Sequence, residues 1–284
     1  MGARRVLVIG GTGKIGRPLT AILNARDAEA VVLARRPGDG GLAVDTRDAE
    51  ALEAAARGFD GVFLTTPLGA DEAEIGVAAV AALRRAGVGR IVHVAVHNME
   101  AMQAIPHFAT KIPVTAAVLD GLGGTVLQPN FFFQNDLLAL PAILQGGIYP
   151  MPIGHAGIWS IDAADIALAA AHALLDDAGM GEAINLCGPE ELTGSAYAAG
   201  WSAALGRPVV YPGDAVEPFL GAMQQAIPGL GAWELDDFRL MMEVTQAMGC
   251  PATPEDHAAT RIMLGRAPRT HREFIADVLK ENSP

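Results

Sequence analysis

A histidine and a lysine stand four positions apart in the stretch HFATK, at His107 and Lys111. The chain has only three lysines, at positions 14, 111 and 280, so this one is conspicuous. Imidazole has an ordinary pKa of about 6.5, which suits it to proton transfer near neutral pH. The two side chains share a face only if the stretch is helical, and Pro106 and Pro113 bracket it. The two residues therefore either take part in proton transfer or have a structural role, and the sequence alone does not place their side chains in contact.

A glycine-rich turn near the start of the chain has the spacing of a phosphate-binding loop. Gly10, Gly13 and Gly16 follow the apolar run Arg5–Ile9 and precede an amphipathic helical stretch. The first glycine permits a tight turn, the second lets backbone N–H groups approach a pyrophosphate, and the third lets helix and strand pack closely. We therefore predict that a dinucleotide binds at this turn, through Gly10, Thr12, Gly13, Lys14, Ile15 and Gly16.

Two arginines, Arg35 and Arg36, follow the second predicted strand in VVLARRPGDG. An acidic residue there would bind the ribose 2′-hydroxyl of NAD, whereas a guanidinium can grip the 2′-phosphate of NADP. The only nearby acid, Asp39, comes three residues later, so NADP(H) is favoured over NAD, the alternative being two solvated arginines. Asp45 follows the third predicted strand, so by position it is expected to contact the adenine. Thr65, Thr66 and Pro67 follow the fourth strand and are expected to line the dinucleotide cleft.

Short β-branched runs alternate with alanine-rich helical stretches, which is typical of a parallel sheet covered on both faces. Strands are predicted at 5–9, 30–34, 62–65, 90–96, 125–127 and 183–186, with a weaker one at 41–44. The pattern predicts an α/β fold with a doubly wound parallel sheet. After Gly188 helical stretches dominate, so we expect a smaller helical C-terminal lobe. The predicted domains are 1–130 plus 161–188 for the sheet, and 131–160 plus 189–284 for the lobe.

Composition excludes several classes of protein. The 284 residues are 51% hydrophobic with a mean hydropathy of +0.28 and a net charge of −12, which argues against binding to nucleic acid. No apolar run approaches the roughly 20 residues of a membrane span. Two cysteines, Cys187 and Cys250, form neither a disulfide framework nor a metal motif, so no metal is predicted. We expect a soluble, cytoplasmic protein.

With these features the chain resembles the NmrA-like family of atypical short-chain dehydrogenases/reductases over nearly its whole length. The segments LQPNFFFQN and GPEELT…ALGRPV are distinctive of that family, more so than the glycine turn. The resemblance implies a Rossmann-type domain that binds NADP(H), with a small helical lobe. The family includes reductases of quinones, dyes and plant phenolics as well as non-catalytic redox-sensing regulators, so it constrains the fold better than the reaction.

The resemblance also gives HFATK a context. Short-chain dehydrogenases generally place a tyrosine four residues before a lysine and a serine at the end of the fifth strand, and the tyrosine passes a proton to the substrate carbonyl. Here Lys111 matches the lysine and His107 stands in the tyrosine position, while Ala95 and Val96 stand where serines are common. Lys111 is thus the expected nicotinamide anchor, with His107 or His97 as candidate acid. The alternative is that Lys111 is a ribose anchor or a solvated helix residue and His107 a packed or capping side chain.

The stretch after the sixth predicted strand supplies a candidate substrate pocket. Ligands bind at the carboxyl edge of such sheets, so we expect Pro129, Asn130 and Phe131 near the cofactor. Aromatic rings and amides beyond them could hold a planar substrate, from the set Phe132, Phe133, Asn135, His155 and Trp159. A core cluster is the alternative for at least one phenylalanine.

Three functions follow, in order of preference. The first is an NADPH-dependent reductase of a small, apolar, planar acceptor such as a quinone or conjugated carbonyl. The second is a non-catalytic NADP(H)-binding redox sensor, favoured by the missing serine and tyrosine. The third is an isomerase, cyclase or epimerase of a biosynthetic pathway. A small-molecule substrate is expected in the first and third, and a homodimer or protein partner is left open.

Overall fold

The computed structural model describes residues 3–38 and 40–282 of the chain. Seven parallel strands form one sheet in the order β3-β2-β1-β4-β5-β6-β7. The strands are β1 Arg5–Ile9, β2 Glu29–Ala34, β3 Leu42–Ala43, β4 Gly61–Leu64, β5 Arg90–Val94, β6 Gly124–Pro129 and β7 Ala183–Leu186. The predicted doubly wound parallel sheet is confirmed.

Helices alternate with the strands and then dominate the C-terminal third of the chain. They are α1 Gly16–Ala25, α2 Ala49–Ala56, α3 Glu72–Arg85, α4 Pro106–Ala109, α5 Lys111–Leu119, α6 Asp136–Pro141, α7 Ala163–Leu175, α8 Gly194–Leu205, α9 Val216–Ala226, α10 Ala232–Met248, α11 Pro254–Leu264 and α12 His271–Glu281. No helix within the described ranges combines the length and the apolar character needed to cross a bilayer.

The sheet is the core of the first compact unit. Val6–Ile9 of β1 and Val62–Leu64 of β4 are almost wholly buried, as strands covered on both faces must be. Helices α1 and α7 pack together against the sheet, while α5 packs on β5 and β6 and contacts α3. The strand order reverses direction between β1 and β4, so the carboxyl ends of these two strands form the switch point where ligands bind in such folds.

The chain divides into two compact units, each contiguous in space but not in sequence. The first comprises Met1–Pro129, Ala163–Leu186 and Ala259–Arg266, and holds the whole sheet. The second comprises Asn130–Asp162, Cys187–Ala258 and Ala267–Pro284. Residues 259–266, predicted in the lobe, lie in the first unit, and residues 130, 161–162 and 187–188, predicted with the sheet, lie in the second.

One helical segment escaped the sequence pattern. Helices α4 and α5 adjoin at Thr110, which has φ −64° and ψ −23°. Pro106 is the first residue of α4 and Pro113 the third of α5. Proline is tolerated in a first turn because its missing N–H would be unpaired there anyway. The two prolines therefore delimit helices and do not break them.

Candidate functional site

A cleft lies at the switch point, at the carboxyl ends of strands β1, β2, β3 and β4. Its volume is about 520 Å³. Eight residues predicted to bind a dinucleotide line it: Gly10, Thr12, Arg35, Arg36, Asp45, Thr65, Thr66 and Pro67. Six further residues, which sequence reasoning did not select, complete the lining: Ile9, Leu33, Ala34, Val44, Thr46 and Arg47. All of them belong to the first unit.

The glycine turn has the backbone geometry that its sequence requires. Gly10 has φ +79°, a conformation that favours glycine, and a Cβ there would lie 2.2 Å from Thr65 Oγ1. Thr65 donates from that hydroxyl to the Ile9 carbonyl oxygen at 3.1 Å, which joins the ends of β1 and β4. At Gly16 a Cβ would meet the Gly10 carbonyl oxygen at 2.4 Å. Gly13 donates its N–H to that same oxygen at 2.9 Å, so the turn closes on itself.

The cationic wall of the cleft is solvent-exposed. Arg35 and Arg36 are exposed at the end of β2, and no described carboxylate lies within ion-pair range of either guanidinium. Asp39, the nearest acid in sequence, lies outside the described residues. Across the cleft, Asp45 Oδ1 accepts the N–H of Arg47 at 3.0 Å, and Arg47 pairs with Asp71 at 3.2 Å. Two guanidinium groups are thus available to an anionic ligand.

Lys111 is ion-paired with a buried carboxylate that was not selected as a site residue from the sequence. Glu72, in the first turn of α3, is 0% exposed and accepts from Lys111 Nζ. The same carboxylate accepts from the hydroxyl of Thr66, and from that of Thr110 at 2.7 Å. Since Thr66 also lines the cleft, this cluster connects the family lysine to the wall of the cleft. Lys111 itself is not among the residues that line it.

The candidate histidines are buried. His107, in α4, is 9% exposed and packs edge-on against the Phe108 ring at 4.7 Å between centroids. His97, just past β5, is 1% exposed, and its backbone N–H donates to the Pro129 carbonyl oxygen at 3.0 Å. Neither side chain is among the residues that line the cleft.

A third histidine, His93, was not selected from the sequence. It lies within β5, fully buried, and its Nδ1 is 3.1 Å from the Leu64 carbonyl oxygen. A carbonyl can only accept, so Nδ1 carries the proton, and Nε2 has no hydrogen-bond partner among the described residues. Desolvation lowers the His93 pKa to about 3, and the positive charge of Lys111 adds to the effect. His93 is therefore neutral throughout the physiological range.

The predicted substrate residues all belong to the second unit, as do Asn130 and Phe131, whereas Pro129 ends β6 in the first. Asn130 is buried and donates to the Cys250 carbonyl oxygen at 3.0 Å, while its own Oδ1 accepts the N–H of Phe131 at 2.8 Å. Phe133 is fully buried against His271 and Phe274. Phe133 is thus part of the core of the second unit.

The remaining predicted substrate residues keep some exposure. Phe132, Asn135 and Trp159 are partly exposed and His155 is exposed. His155 Nε2 lies 3.7 Å from Asp214, and the Trp159 ring meets His257 edge-on at 4.5 Å. His257 Nδ1 in turn lies 3.2 Å from the buried Cys187 Sγ. Neither cysteine forms a disulfide.

A buried carboxylate organises the second unit. Asp136, the first residue of α6, is 1% exposed and accepts from Tyr149 Oη at 2.9 Å and Trp201 Nε1 at 2.8 Å. His271 Nε2 lies 2.7 Å from it. Burial and the neighbouring Asp136 charge raise the pKa of Tyr149 well above its ordinary value, so this hydroxyl stays a donor. The network joins α6, α8, α12 and the segment before Met151.

Comparison with known proteins agrees with this architecture. Residues 2–227 match the NmrA-like family. The chain is 33% identical over 241 residues to the NAD(P)H azoreductase of Xenophilus azovorans, covering 80% of this chain and 81% of that protein.

Two solved structures share the fold at low sequence identity. One is an NADPH-dependent quinone oxidoreductase of Escherichia coli complexed with NADPH, with a TM-score of 0.80 at 21% identity, covering 96% of this chain and 99% of that one. The other is the Citrobacter sp. triphenylmethane reductase complexed with NADP(H), with a TM-score of 0.81 at 19% identity and the same two coverages, 96% and 99%. The predicted cofactor agrees with the cofactors named for these relatives. The sheet, the switch-point cleft and the match over most of the sequence show that the chain belongs to the NmrA-like family.

Proposed function

We propose that this protein is an NADPH-dependent reductase that transfers hydride to a small, apolar, planar acceptor. Support comes first from the switch-point cleft, where the glycine turn, Arg35, Arg36 and Thr65–Pro67 surround one space. It comes also from the 33%-identical relative, which is named an NAD(P)H azoreductase. Quinones, azo compounds and conjugated carbonyls are the acceptor classes that we infer.

The residues present fit a dinucleotide phosphate. Without a Cβ, Gly10 packs directly against Thr65 of the cleft wall, and α1 begins directly after the turn, where helix N–H groups favour an anion. Arg35 and Arg36 can hold a 2′-phosphate with charge-assisted hydrogen bonds. Asp45 can accept from an adenine amino group, and Thr65 and Thr66 wall the middle of the cleft. When bound, NADPH supplies a hydride.

The residues of the cleft hold the cofactor, but the chain has no tyrosine acid four residues before Lys111, where the family generally places one. Hydride transfer needs cofactor and acceptor held in register, and it needs no protein acid. A quinone that accepts a hydride takes one further proton on its second oxygen, which water can supply. We therefore expect acceptors of this kind to be reduced faster than simple ketones, whose oxygen must be protonated as hydride arrives.

The test is NADPH oxidation, followed at 340 nm, over a panel of quinones, azo dyes, conjugated enones and unactivated ketones. We expect turnover with members of the first three classes and little with the fourth. The Lys111→Met variant should lower kcat/KM by at least tenfold. Tight NADPH binding with no turnover of any acceptor would overturn the proposal.

A second candidate, a non-catalytic NADP(H) sensor, is favoured by one observation. His107, at the family's tyrosine position, is nine-tenths buried against Phe108, and Ala95 replaces the common serine. A sensor must bind NADP+ and NADPH with different affinities, since only differential binding shifts a population. Titration calorimetry of both forms, beside the acceptor panel, decides between the candidates: unequal affinities without turnover support the sensor.

A further inference from the structure

The buried carboxylate of Glu72 is the feature that the proposed function leaves unexplained. It is 0% exposed and accepts three hydrogen bonds, from Thr66, Thr110 and Lys111. Burying a carboxylate costs several kcal/mol unless its partners compensate. The first turn of α3 already holds an exposed acid, Glu74, which satisfies the helix dipole without that cost. The helix start alone therefore does not account for Glu72.

The three donors come from two segments, of which one lines the cleft. Thr66 follows β4 and lines the cleft, whereas Thr110 and Lys111 lie where α4 passes into α5. Thr66 and Lys111 share one carboxylate oxygen, Oε1, and Thr110 takes the other. Glu72 is thus a single anion that ties the cleft wall to the family lysine.

The lysine gains a defined position from this arrangement. A lysine ammonium is a point charge on a flexible stem of four methylenes, with three N–H donors. One donor is used on Glu72, which leaves two for hydroxyl groups of a ligand. The Lys111 side chain is 12% exposed, so its stem is confined while part of it still reaches solvent.

We propose that Glu72 is a positioning residue, whose carboxylate holds the Lys111 ammonium and the Thr66 hydroxyl in register for the nicotinamide half of NADPH. The proposal rests on the reductase function above and deepens it. The Lys111–Glu72 pair then acts as one unit, so removing either member has the consequence of removing both.

The first measurement needs no acceptor. The three lysines of the chain give three resolvable ¹³Cε signals on selective labelling, and the Lys111→Met variant identifies the signal of Lys111. Glu72→Gln should move that signal and weaken NADPH binding by about tenfold, the effect of about 1.4 kcal/mol. The matched control, Glu74→Gln, removes an acid from the same helical turn and should change neither. If Glu72→Gln does not fold, Glu72→Asp keeps the charge on a shorter side chain. It should then move the Lys111 signal and weaken NADPH binding, each by less than Glu72→Gln would.

The second measurement is a double-mutant cycle on the Kd for NADPH. In the Lys111→Met background, Glu72→Gln should weaken binding by less than twofold. A tenfold loss in both backgrounds, or a Lys111 signal that stays in place, would overturn the positioning role. Because these readouts require only cofactor binding, a wild-type protein without turnover would sink the reductase proposal and leave the test of Glu72 standing.

Discussion

Arg35 and Arg36 are the residues on which the choice between NADPH and NADH depends in our proposal. Both are exposed on the wall of the cleft, without a described carboxylate partner. Hydrogen bonds to charged groups contribute about 1.5–3 kcal/mol, which corresponds to about 10- to 100-fold in affinity. The Arg35→Ser, Arg36→Ser double variant should raise the KM for NADPH by that factor.

The KM for NADH decides whether this loss is specific to the 2′-phosphate. It should change less than about threefold in the double variant, because NADH lacks the phosphate that the two guanidinium groups hold. Arg57→Ser serves as the control, since Arg57 lies exposed at the end of α2 and pairs with Glu53. Equal losses for both cofactors would show that the arginines serve the fold or the adenosine half instead.

At the scale of single elements, two glycines of the turn have different roles, Gly16 in packing and Gly13 in binding. A Cβ at Gly16 would lie 2.4 Å from the Gly10 carbonyl oxygen and 2.5 Å from the Gly11 Cα, and backbone cannot yield as a side chain can. A Cβ at Gly13 would lie 3.2 Å from the same oxygen, where a small shift suffices. Gly16→Ala should therefore cost about 1–3 kcal/mol of unfolding free energy, measured in urea, and Gly13→Ala much less.

The affinity for NADPH completes the comparison of Gly13→Ala with Gly16→Ala. If the second glycine lets the backbone approach a pyrophosphate, Gly13→Ala should still weaken NADPH binding while leaving the urea midpoint nearly unchanged. A Gly16→Ala protein as stable as the wild type would contradict the close helix–strand packing seen in the turn.

The Asp136 network makes the helices of the second unit depend on one another. Replacing the carboxylate by alanine leaves the Trp201 N–H without its acceptor and the Tyr149 hydroxyl with only the weak Met151 sulfur at 3.7 Å, at a cost of about 1–3 kcal/mol each. We expect Asp136→Ala to lose at least about 3 kcal/mol of unfolding free energy. Asp236→Ala, which removes an exposed acid from the same unit, should stay within about 0.5 kcal/mol. If Asp136→Ala kept the unfolding free energy of the wild type, water would have replaced the lost acceptor.

At the scale of the whole molecule, the buried His93 should make the free energy of unfolding depend on pH in mild acid. Its folded pKa of about 3 lies below the unfolded value of 6.5, because burial and Lys111 disfavour its charged form. Below pH 6.5 the unfolded chain binds a proton that the folded chain does not, so stability falls with a slope approaching about 1.4 kcal/mol per pH unit. Between pH 7.5 and 5.5 this one group should remove about 1 kcal/mol.

The measurement is the difference in that pH dependence between wild type and His93→Leu, from urea unfolding at both pH values. The variant should lose about 1 kcal/mol less than the wild type over the interval, since its other titratable groups are the same. His155→Asn, at an exposed histidine, should behave like the wild type. Parallel curves for wild type and His93→Leu would refute the buried neutral histidine.

How much of this could be predicted differs between the sheet and the site. The strands were predictable because strands covered on both faces consist of apolar, β-branched runs, and the glycine turn because its glycines have a fixed spacing. The helix from Pro106 was missed because prolines suggest breaks, although a first turn accepts them. Glu72 was not selected from the sequence, since its pairing with Lys111 joins residues 39 positions apart. No local pattern reports such a contact.

The Asp136 network has a consequence for synthesis on the ribosome. The carboxylate emerges before Tyr149, well before Trp201, and His271 follows 135 residues after it. Domains generally fold as units while the chain is being made, N-terminal parts first. Here a nascent chain paused before residue 271 still lacks one partner of its buried acid. The second unit can thus reach its full stability only after His271 has been made, and until then Asp136 favours water over the core.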